Sequence, residues 1–207
     1  MTRFFAAAAL LTLTGCNVLT GPREIIAGPT SEWRMAATGA DRDRLRDWRG
    51  AFVEALAKAQ AGGHAAAIAA EGPLLEPDAA IGGEPIPAGD YRCRVIKLGA
   101  KLPGLLDYIA YPAFNCRIRQ DGQLQRFTKL NGSQRPVGTI FPGDSMRQVF
   151  LGTLVLGDEL RSMQYGRDPD RDLAAFVERI GPARWRMVFP RPAFEATLDV
   201  IELIPSA

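Results

Sequence analysis

The chain has 207 residues, 47% of them hydrophobic and 23% charged, with a formal net charge of +2. That composition is the composition of an ordinary globular protein and excludes a disordered one. Charge this close to balance also argues against a general nucleic-acid binder, which carries a strong basic excess.

The N-terminus is built as an export signal. Arg3 supplies a positive start, and Phe4 to Leu13 form an apolar run interrupted only by Thr12. A stable membrane-spanning helix needs roughly 20 apolar residues, so this run is too short to be one. Leu13-Thr14-Gly15-Cys16 follows and resembles the lipobox of bacterial lipoproteins. The resemblance implies cleavage after residue 15 and a diacylglycerol on the Cys16 thiol. Residues 1–15 are then a signal peptide. Residues 16–30, with Gly21, Pro22, Gly28 and Pro29, are a lipidated tether. Asn17 after the cysteine, by likeness to sorted lipoproteins, implies the outer membrane. The expected location is the cell envelope, facing the periplasm, with the membrane as a partner through the lipid.

Residues 31–72 read as a helical segment. Thr38 and Asp41 have the spacing of an N-terminal capping box, with Asp in place of Glu. Leu45, Trp48, Phe52, Leu56 and Ala59 then recur at three- and four-residue steps, one apolar stripe of an amphipathic helix. Gly62-Gly63 ends it, and a short alanine-rich helix is predicted from His64 to Glu71, stopped by Gly72-Pro73.

Residues 73–205 read as an antiparallel β-domain. Tyr91, Cys93 and Val95 alternate with Arg92 and Arg94; Phe114, Cys116 and Ile118 alternate with Asn115, Arg117 and Arg119. Asp121-Gly122 is a hairpin turn into a strand from Leu124 to Leu130. Further strands are predicted at Pro136 to Phe141, Gln148 to Leu156, Glu159 to Tyr165, Ala174 to Ile180, Arg184 to Phe189, and Ala196 to Leu203. Eight or nine strands at this spacing suggest a meander closed, or nearly closed, into a barrel; a two-sheet sandwich is the alternative. The fold class is therefore α+β, mostly β, with a short helical segment packed on a calycin-like barrel. With Cys16 lipidated, Cys93 and Cys116 are an even pair in an oxidising compartment. A bridge would close about 24 residues and stabilise by about 3 kcal/mol; the alternative is two buried free thiols.

Trp33-Arg34, the Asp41 to Arg49 helix, Gly89-Asp90-Tyr91-Arg92-Cys93-Arg94, Trp185-Arg186 and Leu198 to Pro205 resemble the uncharacterised family known as domain of unknown function 4893. This implies one coherent domain over nearly all the mature chain and brings no activity with it. In outline the barrel is similar to the calycin group and to small lipoprotein inhibitors of lysozyme or proteases, an analogy of fold alone.

Catalytic motifs are scarce. His64 is the single histidine, at a helix start, which excludes a His-rich zinc site. No serine lies in a Gly-x-Ser-x-Gly elbow. Asp168, Asp170 and Asp172 have the spacing of a calcium loop, but Leu173 and Arg179 replace its essential Gly and Glu, so they read as a charged turn. Gly138, Gly143, Gly152 and Gly157 read as room for strand bending or close packing. No catalytic residue, metal or cofactor is expected.

The remaining feature is a basic stripe. Arg92, Arg94, Arg117 and Arg119, with Arg126 beside them, fall opposite the cysteine face. They could hold an anionic envelope polymer or the carboxylates of an envelope protein. The plainer reading is a solvated face, partly neutralised by helix carboxylates Asp43, Asp47 or Glu54. The expectation is a non-enzymatic ligand- or protein-binding envelope module; the alternative is an inhibitor of an exported hydrolase. A filled barrel would point to surface recognition, and an open cavity of several hundred Å3 to a small ligand.

Overall fold

In the computed structural model, residues 30–206 are described. The expected signal peptide, Cys16 and the expected tether up to residue 29 lie outside the described residues. Among the described residues, no helix is long and apolar enough to cross a membrane.

Nine antiparallel strands make one sheet: β1 (Gly89–Ala100), β2 (Tyr108–Ala110), β3 (Phe114–Asp121), β4 (Leu124–Lys129), β5 (Gln134–Phe141), β6 (Arg147–Leu156), β7 (Asp172–Gly181), β8 (Arg184–Pro190) and β9 (Ala196–Pro205). β1 pairs with β9 from Tyr91↔Pro205 to Ala100↔Ala196, so eight strands close into a barrel instead of a sandwich. Closure removes the unpaired edges that an open sheet would expose. β2 is the extra strand, hydrogen-bonded beside the second half of β1.

Period-two alternation then decides which side chains face in. Tyr91, Cys93, Cys116, Ile118, Phe127, Ile140, Phe150, Val177, Trp185, Met187, Phe189 and Ile201 fill the middle of the barrel. Phe150 packs edge-on against Phe127 and Phe189, with ring centroids 5.7 Å apart in both pairs. Gly138 and Gly152 face each other across β5 and β6 and make room for that ring. A methyl on Gly138 would overlap Leu151 O and the Gly152 backbone and sit 2.8 Å from Phe150 Cε2. The close-packing role expected of these two glycines is the one they have. Cys93 and Cys116 are joined by a disulfide between β1 and β3, with Cα atoms 5.9 Å apart.

Helices cover the outside of one half of the barrel. Thr38 Oγ1 accepts from Asp41 N and caps α2 (Gly39–Arg46). The predicted single helix breaks at Asp47, where ψ turns to 9°, and resumes as α3 (Trp48–Ala59); α1 is the turn Trp33–Ala36. Gly63, at φ +88°, bends the chain through a π turn into α4 (Ala65–Glu71), which starts one residue after His64. Phe52, Ala55 and Ala59 bury themselves on Ile96, Leu98, Val188, Leu198 and Val200, the outward residues of β1, β8 and β9. That coverage explains why β9 is apolar on both faces.

The strand expected at Glu159 to Tyr165 is a loop. β6 pairs directly with β7, leaving no free edge for it. Glu159 instead folds back, accepting from Leu156 N and from Arg171.

Candidate functional site

The strand directions give the barrel two different ends. One is crossed by residues 81–88. Ile81 N donates to Arg179 O and Ile86 N to Gln148 Oε1, while Ile86 O accepts from Gln125 Nε2. The buried Ile86 side chain plugs the barrel from this side. A cavity of about 300 Å3 remains beside the strap, walled by Gln120, Gln125, Gln148 and Trp185.

Among the described residues, no comparable strap crosses the other end. Here the loops 101–107, 130–133, 157–171 and 191–195 emerge around a cavity of about 150 Å3. Its floor is apolar: Val95, Phe114, Leu154, Leu173, Phe189 and Ile201. Twelve large apolar side chains are exposed among the described residues, and seven sit on these four loops: Leu102, Leu105, Leu106, Leu130, Leu160, Met163 and Phe194. Of these, Phe194 lines the cavity, whereas Leu130, Leu160 and Met163 line a separate groove on the outer wall of β4, β5 and β6, so the seven do not form one patch.

Two buried lysines stand in this opening. Lys97 Nζ donates to Asp199 Oδ2 at 2.8 Å and lies 3.2 Å from Glu195 Oε2. Burial works against its charge, but the two carboxylates hold its pKa above the ordinary value. Burial pushes the Asp199 carboxyl up, against the pull of Lys97, and its Oδ1 has no hydrogen-bond partner. Lys129 is different. Its Nζ donates to the carbonyls of Asn131 and Gln134, both at 2.9 Å, and lies 3.6 Å from the centre of the Phe114 ring. No carboxylate pairs with it. Burial, with help from Arg135 and Lys97, lowers its pKa to about 8. This end therefore combines an apolar floor with convergent polar groups of shifted pKa, the pattern of a ligand site.

A family model described as Domain of unknown function (DUF4893) matches residues 33–203. The chain belongs to this family. No curated protein and no solved structure matches it. The matched span runs from α1 almost to the end of β9, so both barrel ends lie within the family's domain.

In this DUF4893 chain the basic stripe is only partly assembled. Arg94 leaves it: its guanidinium is held by Glu71 of α4 and by Glu202 Oε2, 3.0 Å away on β9. Arg117 is paired in a fork with Asp90, and Arg126 with Asp121 at 2.9 Å. Arg92 and Arg119 stay exposed on the same outer face. The neutralising carboxylates are thus not Asp43, Asp47 or Glu54. Asp47 and Glu54 both pair with Arg191, and Asp43 with Arg46, because the helices cover β8 and β9 rather than β3 and β4.

The other sequence candidates are structural. His64 stacks on Tyr108 with centroids 5.5 Å apart. Asp168 Oδ1 accepts from Asp170 N, and Asp172 Oδ1 from Gly166 N, which closes the charged turn. Among the described residues no cluster of three or more His, Cys, Asp or Glu could hold a metal ion. Lys97, Lys129 and Asp199 were not legible as site residues from motifs. A signal existed: each falls in the inward phase of its strand, in step with Val95, Phe127 and Ile201, where an apolar residue is the rule.

Proposed function

We propose that the chain is a non-enzymatic binding module of the bacterial cell envelope, held there by lipid on Cys16, that takes a small ligand at the open end of its barrel. The observation that carries this reading is the coincidence, in one cavity, of an apolar floor and two buried lysines, with Phe194 exposed at its edge. The barrel middle is filled by aromatic rings, so among the described residues no interior cavity of several hundred Å3 forms and recognition falls to the surface, here a shallow mouth and not a deep calyx. An engineered apolar cavity of about 150 Å3 holds benzene, which sets the scale: a ligand of fragment size.

The test is thermal stabilisation by a fragment library, read on wild type and on Val95→Phe, which fills the mouth from the β1 wall. Fragments that raise the wild-type melting temperature and lose that effect in Val95→Phe support the reading. Equal stabilisation of both proteins, or of neither, rejects it. Anchoring is tested separately: Cys16→Ser should move the protein from the membrane to the soluble periplasmic fraction.

A further inference from the structure

Lys129 carries a buried charge with no counter-ion. Its residue is 3% exposed, and its ammonium is satisfied only by two backbone carbonyls and an aromatic face. Isolated buried charges are costly and ordinarily are paired. Lys97 is matched by Asp199 and Glu195. Arg135 spends its guanidinium on the carbonyls of Gly132, Gly157 and Glu159. Lys101 donates to Pro192 O, and Asp170 stands on the rim. The charges that act on Lys129 are Arg135 and Lys97, both positive. Of the charged groups that line the cavity, Lys97 engages Asp199 and Glu195, and Lys129 alone among the cations has no carboxylate partner.

We propose that the mouth binds a small monocarboxylate, its head paired with Lys129 Nζ and its apolar body laid on Val95, Phe114, Leu154 and Phe189. This rests on the reading of the open end as a ligand site and adds the ligand's class. A single ammonium beside an apolar floor, in a cavity of about 150 Å3, suits a singly charged head on a small apolar body. The cavity limits the body to about six carbon atoms, by the benzene scale. Binding also supplies the missing counter-ion, so it raises the proton affinity of Lys129 and takes up a proton near pH 8.5.

The experiment is calorimetric titration of the full chain with benzoate and hexanoate against benzyl alcohol and 1-hexanol, at pH 7 and pH 9.5. Carboxylates should bind at least tenfold tighter than the matching alcohols at pH 7, and the preference should fall at pH 9.5. Lys129→Met should remove the preference and keep alcohol binding. Proton uptake at pH 8.5, read from buffers of different ionisation enthalpy, tests wild type alone should the variant not fold. Carboxylates and alcohols of equal affinity, an unchanged preference in Lys129→Met, or no proton uptake overturns the proposal. If alcohols bind and are lost in Val95→Phe while carboxylates gain nothing, only the ligand class falls. If no probe binds, the site falls with it.

Discussion

Arg186 and Glu178 face each other on the outer wall of the barrel, Nη2 to Oε2 at 2.6 Å, and neither side chain touches solvent. The same guanidinium donates to the carbonyls of Pro73, Leu74, Glu76 and Pro77. It therefore fastens the connection between the helices and the barrel to β8. Glu178 also accepts from Arg147 Nε, whose guanidinium lies over Trp48. Removing one member of a buried pair costs roughly 3–5 kcal/mol, because the other charge is left unpaired. Arg186→Leu should lower the unfolding free energy by about that amount in urea titration. Glu178→Gln should cost as much or less, since Arg147 keeps access to solvent. An Arg186→Leu protein as stable as wild type would show that the carbonyls find other donors.

The disulfide gives a second stability prediction. It joins residues 23 apart in sequence, within the barrel interior. The chain-entropy estimate for such a loop is about 3 kcal/mol. Cys93→Ala with Cys116→Ala should destabilise by about that amount, plus a cavity contribution, in denaturant titration. Reducing agent should act on the wild type only after unfolding, since both sulfurs are buried. A double variant within 1 kcal/mol of wild type would contradict the estimate, which takes the loop-closure term as about 3 kcal/mol.

Much of this was legible from alternation. Tyr91-Cys93-Val95 and Phe114-Cys116-Ile118 announce two strands with their cysteines on one apolar face, and they pair as neighbours. Of the helix stripe Leu45, Trp48, Phe52, Leu56 and Ala59, Leu45, Phe52 and Ala59 are buried and Trp48 and Leu56 half-buried. What alternation cannot state is closure. Arg94 meets Glu202 only because β1 joins β9, 108 residues away, and no local pattern encodes that contact. β2, three residues long, was missed for want of a pattern. Glu159 to Tyr165 has the composition of a strand, but the pairing of β6 with β7 leaves it no partner. Lys97 and Lys129 carry no local signal of a site, because a lysine in a strand ordinarily faces outward, whereas both are buried here.

The outer basic face yields a prediction with two sharp outcomes. Arg92 and Arg119 are exposed, whereas Arg94 and Arg117 are engaged by Glu71, Glu202 and Asp90. Arg92→Glu with Arg119→Glu should leave stability within about 0.5 kcal/mol, the range for surface changes. If the face holds an anionic envelope polymer, retention on that polymer should fall in the variant and fall with salt in wild type. Equal retention of both proteins at every salt concentration would make it a plain solvated face. Arg94→Glu is a different change: it sets three carboxylates together and should destabilise.

The pH dependence of stability isolates Lys129. A base whose folded pKa lies below its unfolded value binds fewer protons folded than unfolded between the two. Stability then rises with pH across that interval. For Lys129 the interval runs from about 8 to the unperturbed 10.5, at a slope of up to about 1.4 kcal/mol per pH unit. Lys101, its pKa also lowered by burial, acts in the same direction. Tyr91 and Tyr108, both pushed up to about 12 by burial, act oppositely above pH 10, where the unfolded phenols ionise first. The clean window is therefore pH 8 to 10, and subtraction of a variant assigns it. Lys129→Met should be more stable than wild type at pH 7, because it carries no buried charge there. By pH 9.5 wild type should have recovered much of the difference. Urea titrations at pH 7, 8.5 and 9.5 on both proteins measure this directly. A constant difference across the three would mean that Lys129 titrates at its ordinary value and that the two carbonyls and the Phe114 ring suffice to hold its charge.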